Sequence, residues 1–581
     1  MTRTVAQAVA QAMLRHGITQ FFGQSLPSLL VLEAERAGIR QIVYRTENAG
    51  GAMADAAARI GNRLTVVTAQ NGPAATLLVP PFAEAMKASV PILALVQEVP
   101  ADRQDRNAFQ ELDHDRLFAG VTKWSRKLPS PERIDDYLDM AIVQATTGRP
   151  GPVALMLPKD MLAAEAGEPR RAQRLGGFPL DRVAPDPARV REAAEVLAGA
   201  RTPVVIAGGG VHLSGAAEAV ARLQQRFSLP VATTNMGKGA VDEDHPLSYG
   251  VIGNAMGAEA PSHPLRERLL AADAVLLIGT RTNENGTDAW TLVPPEATVI
   301  HLDIDGAEIG RNYEAIRLVG DARLGLEALS EALGELCASE GSDGPGGGPG
   351  APGSVSGSAS ALAARRAEHE STATAARQYG ARMRGEVVST EGAIDPRHVM
   401  EALDERLDAA DIVVADASFS TLWVTGYLRA RRSGQRFLTP RGLAGLGWGY
   451  PMALGAKAAS PGSRVVCLSG DGGFGHVWGE LETAVRERLD VVLIVLNNSI
   501  LGFQKHAELH QFGAHTSAID FGAVDHAAVA RSVGMTALRV GDPAELGAAL
   551  DEALAVQGPV LLEVIANPES KPPITIWDPR D

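Results

Sequence analysis

The run RVVCLSGDGGFGHVWGELETAVRERLDVVLIVLNNSILGF, from Arg464 to Phe503, concentrates the residues with the clearest chemical potential. It reads as an apolar strand, a glycine turn, a helix, a second apolar strand and a polar turn. In Gly470-Asp471-Gly472-Gly473 the glycines let backbone amides approach a phosphate closely, and the helix opening near Phe474 turns its positive end toward the anion. Asp471 can hold a divalent cation against that phosphate. Magnesium takes hard oxygen donors in near-octahedral geometry, so Asn498 and the backbone carbonyl of Ile500 would complete the set with phosphate oxygens and water. If the two strands are parallel neighbours, both turns end on one sheet edge, and residues distant in sequence can share one ion.

Elements able to carry such turns recur along the chain. Short Val/Ile/Leu runs alternate with Ala-rich helical stretches: LTVVTA, VPILALV and PVALML, then TPVVIAG, AVLLIGT and TVIHLDI, then DIVVAD, RVVCLS and DVVLIVL. Runs of this kind predict strands covered on both faces by crossover helices, hence an α/β protein of three doubly wound parallel-sheet domains. VVTAQNGPAAT and VVCLSGDGGFG both place a glycine turn directly after a buried strand, where open α/β sheets bind ligands. Breaks near 165–190 and in the Gly/Pro/Ser tract 341–360 set the expected boundaries. These give a first domain over 1–165, a central one over 186–338, a flexible linker and helix over 339–390, a last domain over 391–566 and a tail over 567–581.

A chain of 581 residues has room for several cores and a buried site. Its formal charge of −15, without a Lys/Arg cluster, argues against nucleic acid as a partner. Cys337 and Cys467 stand alone, which indicates neither a disulfide framework nor a thiolate metal site. No apolar run reaches the roughly 18 residues of a membrane span, and the amphipathic first residues are unlike an export signal, so a cytoplasmic enzyme is expected.

Alone, Gly-Asp-Gly-Gly is an ordinary turn. Followed by a helix, a strand and Asn497-Asn498, it resembles the signature of thiamine-diphosphate enzymes, and further segments resemble the acetolactate synthase group. RTENAGGAMADAAARI, TAQNGPAAT, NAFQELD and RPGPVALMLPKD are similar to that group's pyrimidine-binding domain. The resemblance implies thiamine diphosphate and Mg2+ as cofactors, Glu47 as the acid that activates the aminopyrimidine, Pro73 as a cofactor contact and Gln110 as a side chain near the reacting centre. LAGLGWGYPMALGA implies Leu446 as the apolar wedge that bends the cofactor, and Ser418, Phe419 and Ser420 imply contacts to the diphosphate. The central domain resembles one that binds FAD in acetolactate synthases and other nucleotides, or none, in relatives; Gly208-Gly209-Gly210 is its candidate phosphate turn. The implied function is a carboligase or decarboxylase acting on a 2-oxo acid. Relatives of the oxalyl-CoA decarboxylase or sulfoacetaldehyde acetyltransferase kind, a C–C hydrolase and a degenerate cofactor-fold protein are the alternatives. The implied assembly is a homodimer at minimum, with the active site shared between subunits, and a homotetramer is expected.

Two departures bear on the substrate. The group's Arg-Phe-Asp-Asp-Arg run, whose last arginine handles a 2-oxo-acid carboxylate, reads Arg281-Thr282-Asn283-Glu284-Asn285 here. Asn285 has no guanidinium fork, so that recognition is absent or supplied elsewhere, and weak joining of two pyruvates is expected. The tryptophan expected after the Asn-Asn motif is missing too. His506, His510 and His515 stand in that loop instead, where imidazoles could move protons over the cofactor.

Overall fold

In the computed structural model, which describes residues 3–340, 359–385 and 387–578, three six-stranded sheets are parallel throughout. The first comprises Gln20–Phe22, Arg40–Ile42, Thr65–Ala69, Ile92–Glu98, Trp124–Lys127 and Val153–Pro158. Numbered one to six along the chain, these strands lie in the spatial order 2-1-3-4-6-5. The last sheet, from Ile412–Ala415 to Val560–Ile565, has the same order, which gives structural content to the similarity of its glycine turn to that of the first. The central sheet, from Pro203–Ala207 to Ile316–Val319, runs 3-2-1-4-5-6, the dinucleotide-fold order. Thr65–Ala69, Pro203–Ala207 and Val491–Asn497 are buried at every residue, as strands covered on both faces must be.

Residues 341–358 of the Gly/Pro/Ser tract lie outside the described residues. Ala359 and Ser360, read as its end, instead open the helix Ala359–Gly385, because the Ala-rich sequence that follows favours helix over coil. The tail does not trail away. Trp577 packs on Phe503, while the Thr575 N–H donates to the Asn254 carbonyl at 2.9 Å, tying the last domain to the central one. Among the described residues, no helix is long and apolar enough to cross a membrane.

The first and last domains share one core through two small-residue helices, Glu47–Gly61 and Gly449–Ala459. Thr46 caps the first by accepting from the Ala49 N–H, and Asn62 closes it in the left-handed region at φ 47°. Alanine and glycine are required because the backbones nearly touch: a Cβ on Gly455 would lie 2.0 Å from the Met53 carbonyl oxygen. Asp55, Arg59 and Glu84 form a buried ionic group beside this contact.

Gly455→Ala should therefore destabilise the protein by about 1–3 kcal/mol despite alanine's higher helix propensity. Calorimetry should show a lower melting temperature for it, against little change for Gly462→Ala, whose added Cβ meets nothing within 4 Å.

Candidate active site

The carboxyl edge of the last sheet opens into a cavity of about 540 Å³. Its chain reverses direction across the sheet between Ile412–Ala415 and Val465–Gly470, and the loops after these strands diverge to leave a crevice. Ser418, Phe419, Ser420, Leu446, Gly470, Asp471, Gly472, Gly473, Asn498 and Ile500 all line it, so ten residues singled out from sequence converge on one space.

Asp471 opens the short helix Asp471–Phe474 and is 7% exposed. Its carboxylate accepts from the Ser499 N–H at 3.0 Å and, at a long 3.5 Å, from the Asn498 N–H. These bonds do not compensate for lost water, and burial raises its pKa to about 6. A carboxylate held so close to neutral by desolvation is one that a cation would stabilise. The two asparagines have separate tasks. Asn497 donates to the Val524 carbonyl and the buried Glu563 carboxylate, whereas Asn498 faces the cavity with its Oδ1 accepting from the Ile500 N–H at 3.2 Å.

Leu446 sits on a loop pinned by Asp416, a residue the sequence reading did not single out. The Asp416 carboxylate, 1% exposed, accepts from the N–H groups of Gly447 and Gly449 at 3.0 Å each and from the Ser469 hydroxyl at 3.2 Å. A Cβ on Gly473 would lie 2.0 Å from its Oδ2. One buried carboxylate therefore fixes the Leu446 loop against the glycine turn, and Leu446, which lines the cavity, keeps 38% exposure. Its only signal in the sequence was position, at the carboxyl end of the run DIVVAD. Ser418 has φ 63° and ψ −138°, a glycine-type conformation that stores strain at the cavity wall. Phe419 stacks with Phe503, His506 and Trp423.

Glu47, Pro73 and Gln110 do not line this cavity. They belong to the first domain, where Glu47 begins the helix after the strand Arg40–Ile42 and Pro73 the helix after Thr65–Ala69. Gln110, at φ 60°, accepts from the Gln70 amide at 2.9 Å, and its carbonyl accepts from Asn71. His114 braces the same turn, accepting from the Gly72 N–H at 2.9 Å while its other nitrogen meets the Glu98 carboxylate at 2.6 Å. The peptide leading to Glu47 is held by Glu480, also missed from sequence: its buried carboxylate accepts from the N–H groups of Arg45 and Thr46.

Arg281 and Asn285 line a separate cavity in the central domain with Gly209, Gly210, Asp303 and Glu308. Gly208 and Gly210 are glycines because the neighbouring strand-end turn is in contact: an added Cβ would lie 2.4 and 2.7 Å from Gly279. Asp303, buried near Asp305 and Glu308, has its pKa raised to about 7, mainly by desolvation. The three histidines do not gather over the diphosphate cavity. His506 is wedged between Phe419 and Trp577, His510 meets the Trp577 edge and His515 is exposed; from the helix Gly502–Phe512 the cavity takes Gly502, Phe503 and Gln504. Aromatic packing with the tail thus takes His506 and His510, while His515 faces solvent.

Three family models match in chain order: the thiamine pyrophosphate enzyme N-terminal TPP binding domain over residues 3–117, the central domain over 190–329 and the C-terminal TPP binding domain over 416–564. A probable acetolactate synthase large subunit of Methanocaldococcus jannaschii is 31% identical, over 98% of this chain and 93% of its own. One from Methanococcus aeolicus is 30% identical over 97% and 92%. Acetolactate synthase isozyme 3 large subunit of Escherichia coli is 29% identical over 94% and 92%. With its three domains in that order and the relatives matched almost end to end, the chain belongs to the thiamine pyrophosphate enzymes of the acetolactate synthase large-subunit type.

Proposed function

We propose that the protein is a thiamine-diphosphate-dependent carboligase or decarboxylase of 2-oxo acids, acting as the acetolactate synthases do. The observation that carries this reading is the convergence of the glycine turn, Asp471, Asn498, Ile500 and Leu446 on one cavity. The donor set suits the diphosphate end of the cofactor. Gly472 and Gly473 admit close approach, and Asp471, the Asn498 amide and the Ile500 carbonyl are the oxygen donors for Mg2+. Among the described residues no group of three or more His, Cys, Asp or Glu converges, so such an ion depends on phosphate oxygens for the rest of its shell. When bound, the cofactor supplies carbanion chemistry next to a carbonyl.

The chain's own residues divide the remaining work. Asp471 and Asn498 would hold the anionic end, Leu446 would press between the cofactor's rings, and Ser418 to Ser420 would close the phosphate side. Glu47 would hold or pass a proton at the pyrimidine ring, and Gln110 would stand near the reacting centre. Since Glu47, Pro73 and Gln110 lie away from the Asp471 cavity of their own chain, they serve the cavity of a second copy, which makes a homodimer the minimum unit and a homotetramer the natural assembly. Phe109, 82% exposed beside Gln110, is the sort of surface a second copy would cover. The central cavity, with its glycine turn and buried Asp303, suits a nucleotide, FAD being the candidate.

The pKa of Asp471, raised by burial, fixes the sign of a stability effect. Its ionised form disfavours the cofactor-free fold, so stability falls as pH rises from about 4 through 6, by roughly 3 kcal/mol at most. Asp471→Asn without cofactor should match or exceed the wild type in melting temperature at pH 7.5, lose that advantage at pH 4, and gain no stabilisation from thiamine diphosphate with Mg2+. Persisting cofactor stabilisation would remove Asp471 from the metal site.

Glu47→Gln should keep cofactor affinity within a few-fold while slowing hydrogen–deuterium exchange at the cofactor's C2 by about 10²–10⁴. Exchange at the wild-type rate would exclude Glu47 as the acid.

The function itself is tested by giving the purified enzyme pyruvate, thiamine diphosphate and Mg2+, with and without FAD, and measuring acetolactate and carbon dioxide. Turnover is expected, and a panel of 2-oxo acids left wholly unconverted would refute the assignment.

A further inference from the structure

The arginine missing at position 285 has a counterpart elsewhere in the fold. Arg441 lines both the diphosphate cavity and the central cavity that holds Arg281 and Asn285, at the wall common to the two. Its Nε is cut off from solvent without a hydrogen-bond partner, and among the described residues its guanidinium makes no ion pair. The neighbouring acid is engaged by other groups. The Glu84 carboxylate accepts from the Gly442 N–H at 2.7 Å and the Leu443 N–H at 2.5 Å, and also meets Arg59. Arg149 and Arg182, by contrast, lie in the central cavity already paired with Glu308 and Asp321.

Burial lowers the pKa of Arg441 to about 10, which leaves it cationic at neutral pH. The side chain is half-buried, with Glu84 attracting it but no ion pair formed, and an anion entering from the cavity would offset the cost of its unsatisfied Nε. The backbone around it is rigid: Arg59 donates to the Thr439 carbonyl at 3.0 Å, and Glu84 holds the next two amides, so the side chain is presented from a fixed base. Leu446 stands on the same loop and in the same cavity.

We propose that Arg441 is the carboxylate-binding residue of the substrate site, supplying to a 2-oxo acid the guanidinium fork that Asn285 lacks. This rests on the reading of the diphosphate cavity as the catalytic one. A planar guanidinium with no internal partner is suited to a bidentate carboxylate contact. Because among the described residues no hydrogen bond or ion pair holds it, only the attraction of Glu84, its removal should cost little stability.

The test compares the wild type with Arg441→Gln as holoenzymes, using oxamate, an unreactive isostere of pyruvate, as the binding probe. Oxamate affinity in the variant should fall roughly 10- to 100-fold, and KM for the 2-oxo acid should rise by a similar factor. The affinity for thiamine diphosphate and for FAD should stay within threefold, and the melting temperature should be no more than slightly lower. Arg441→Lys, which keeps the charge and loses the fork, should weaken oxamate several-fold and serves if the glutamine variant does not fold. Oxamate binding unaffected by both substitutions, absent in the wild type, or replaced by a loss confined to thiamine diphosphate or FAD would overturn the assignment. Failure of the functional reading is separable: an enzyme that converts no 2-oxo acid but loses oxamate in Arg441→Gln refutes the proposed reaction and leaves the carboxylate site standing.

Discussion

Two helices that nearly touch hold the molecule's ends together. Glu47–Gly61 and Gly449–Ala459 can approach only because alanines and glycines face each other, and the result is one hydrophobic core spanning two domains far apart in sequence. Each helix also starts beside a residue of the proposed site, Glu47 at the first residue of one and Leu446 three positions before the other. The Trp448 indole donates to Asn48 at 3.1 Å across that contact. Close packing thus sets where both residues point, and their positions cannot vary independently.

The charges buried around the cavity are compensated in three ways. Asp416 receives two backbone amides and a hydroxyl, so its carboxylate serves as an internal anchor for the wedge loop. Asp471 receives only two backbone amides from outside its own turn, one of them at a long 3.5 Å, and lines the cavity. Among the described residues the half-buried Arg441 has no hydrogen bond or ion pair, only the longer-range attraction of Glu84. Burial alone does not separate these roles; what separates them is how far each charge is satisfied within the chain.

The half of the proposed site around the glycine turn was legible because it is local. Glycine turns and the asparagine pair follow directly from strands whose apolar character betrays them, and parallel pairing then brings the turns to one edge. Asp416, Glu480 and Arg441 gave weaker signals, since each acts through contacts with segments remote in sequence. The histidines misled for the same reason. Their clustering in the chain suggested a common role, but the helix places His506 and His510 on one face, where both pack against Trp577 of the returning tail, and His515 lies beyond the helix in solvent.

The amino-acid sequence by itself determined the α/β class, the glycine turn with Asp471 and Asn498, and the resemblance to thiamine-diphosphate enzymes, because these depend on residue types at short range and on strand periodicity. Tertiary structure decided the rest: that the Leu446 loop hangs from Asp416, that Glu47 lies away from its own chain's Asp471 cavity, and that Arg441 lines two cavities while Asn285 lines only one of them. Those facts depend on which distant segments come within hydrogen-bonding distance, and that is set by close packing of the whole chain.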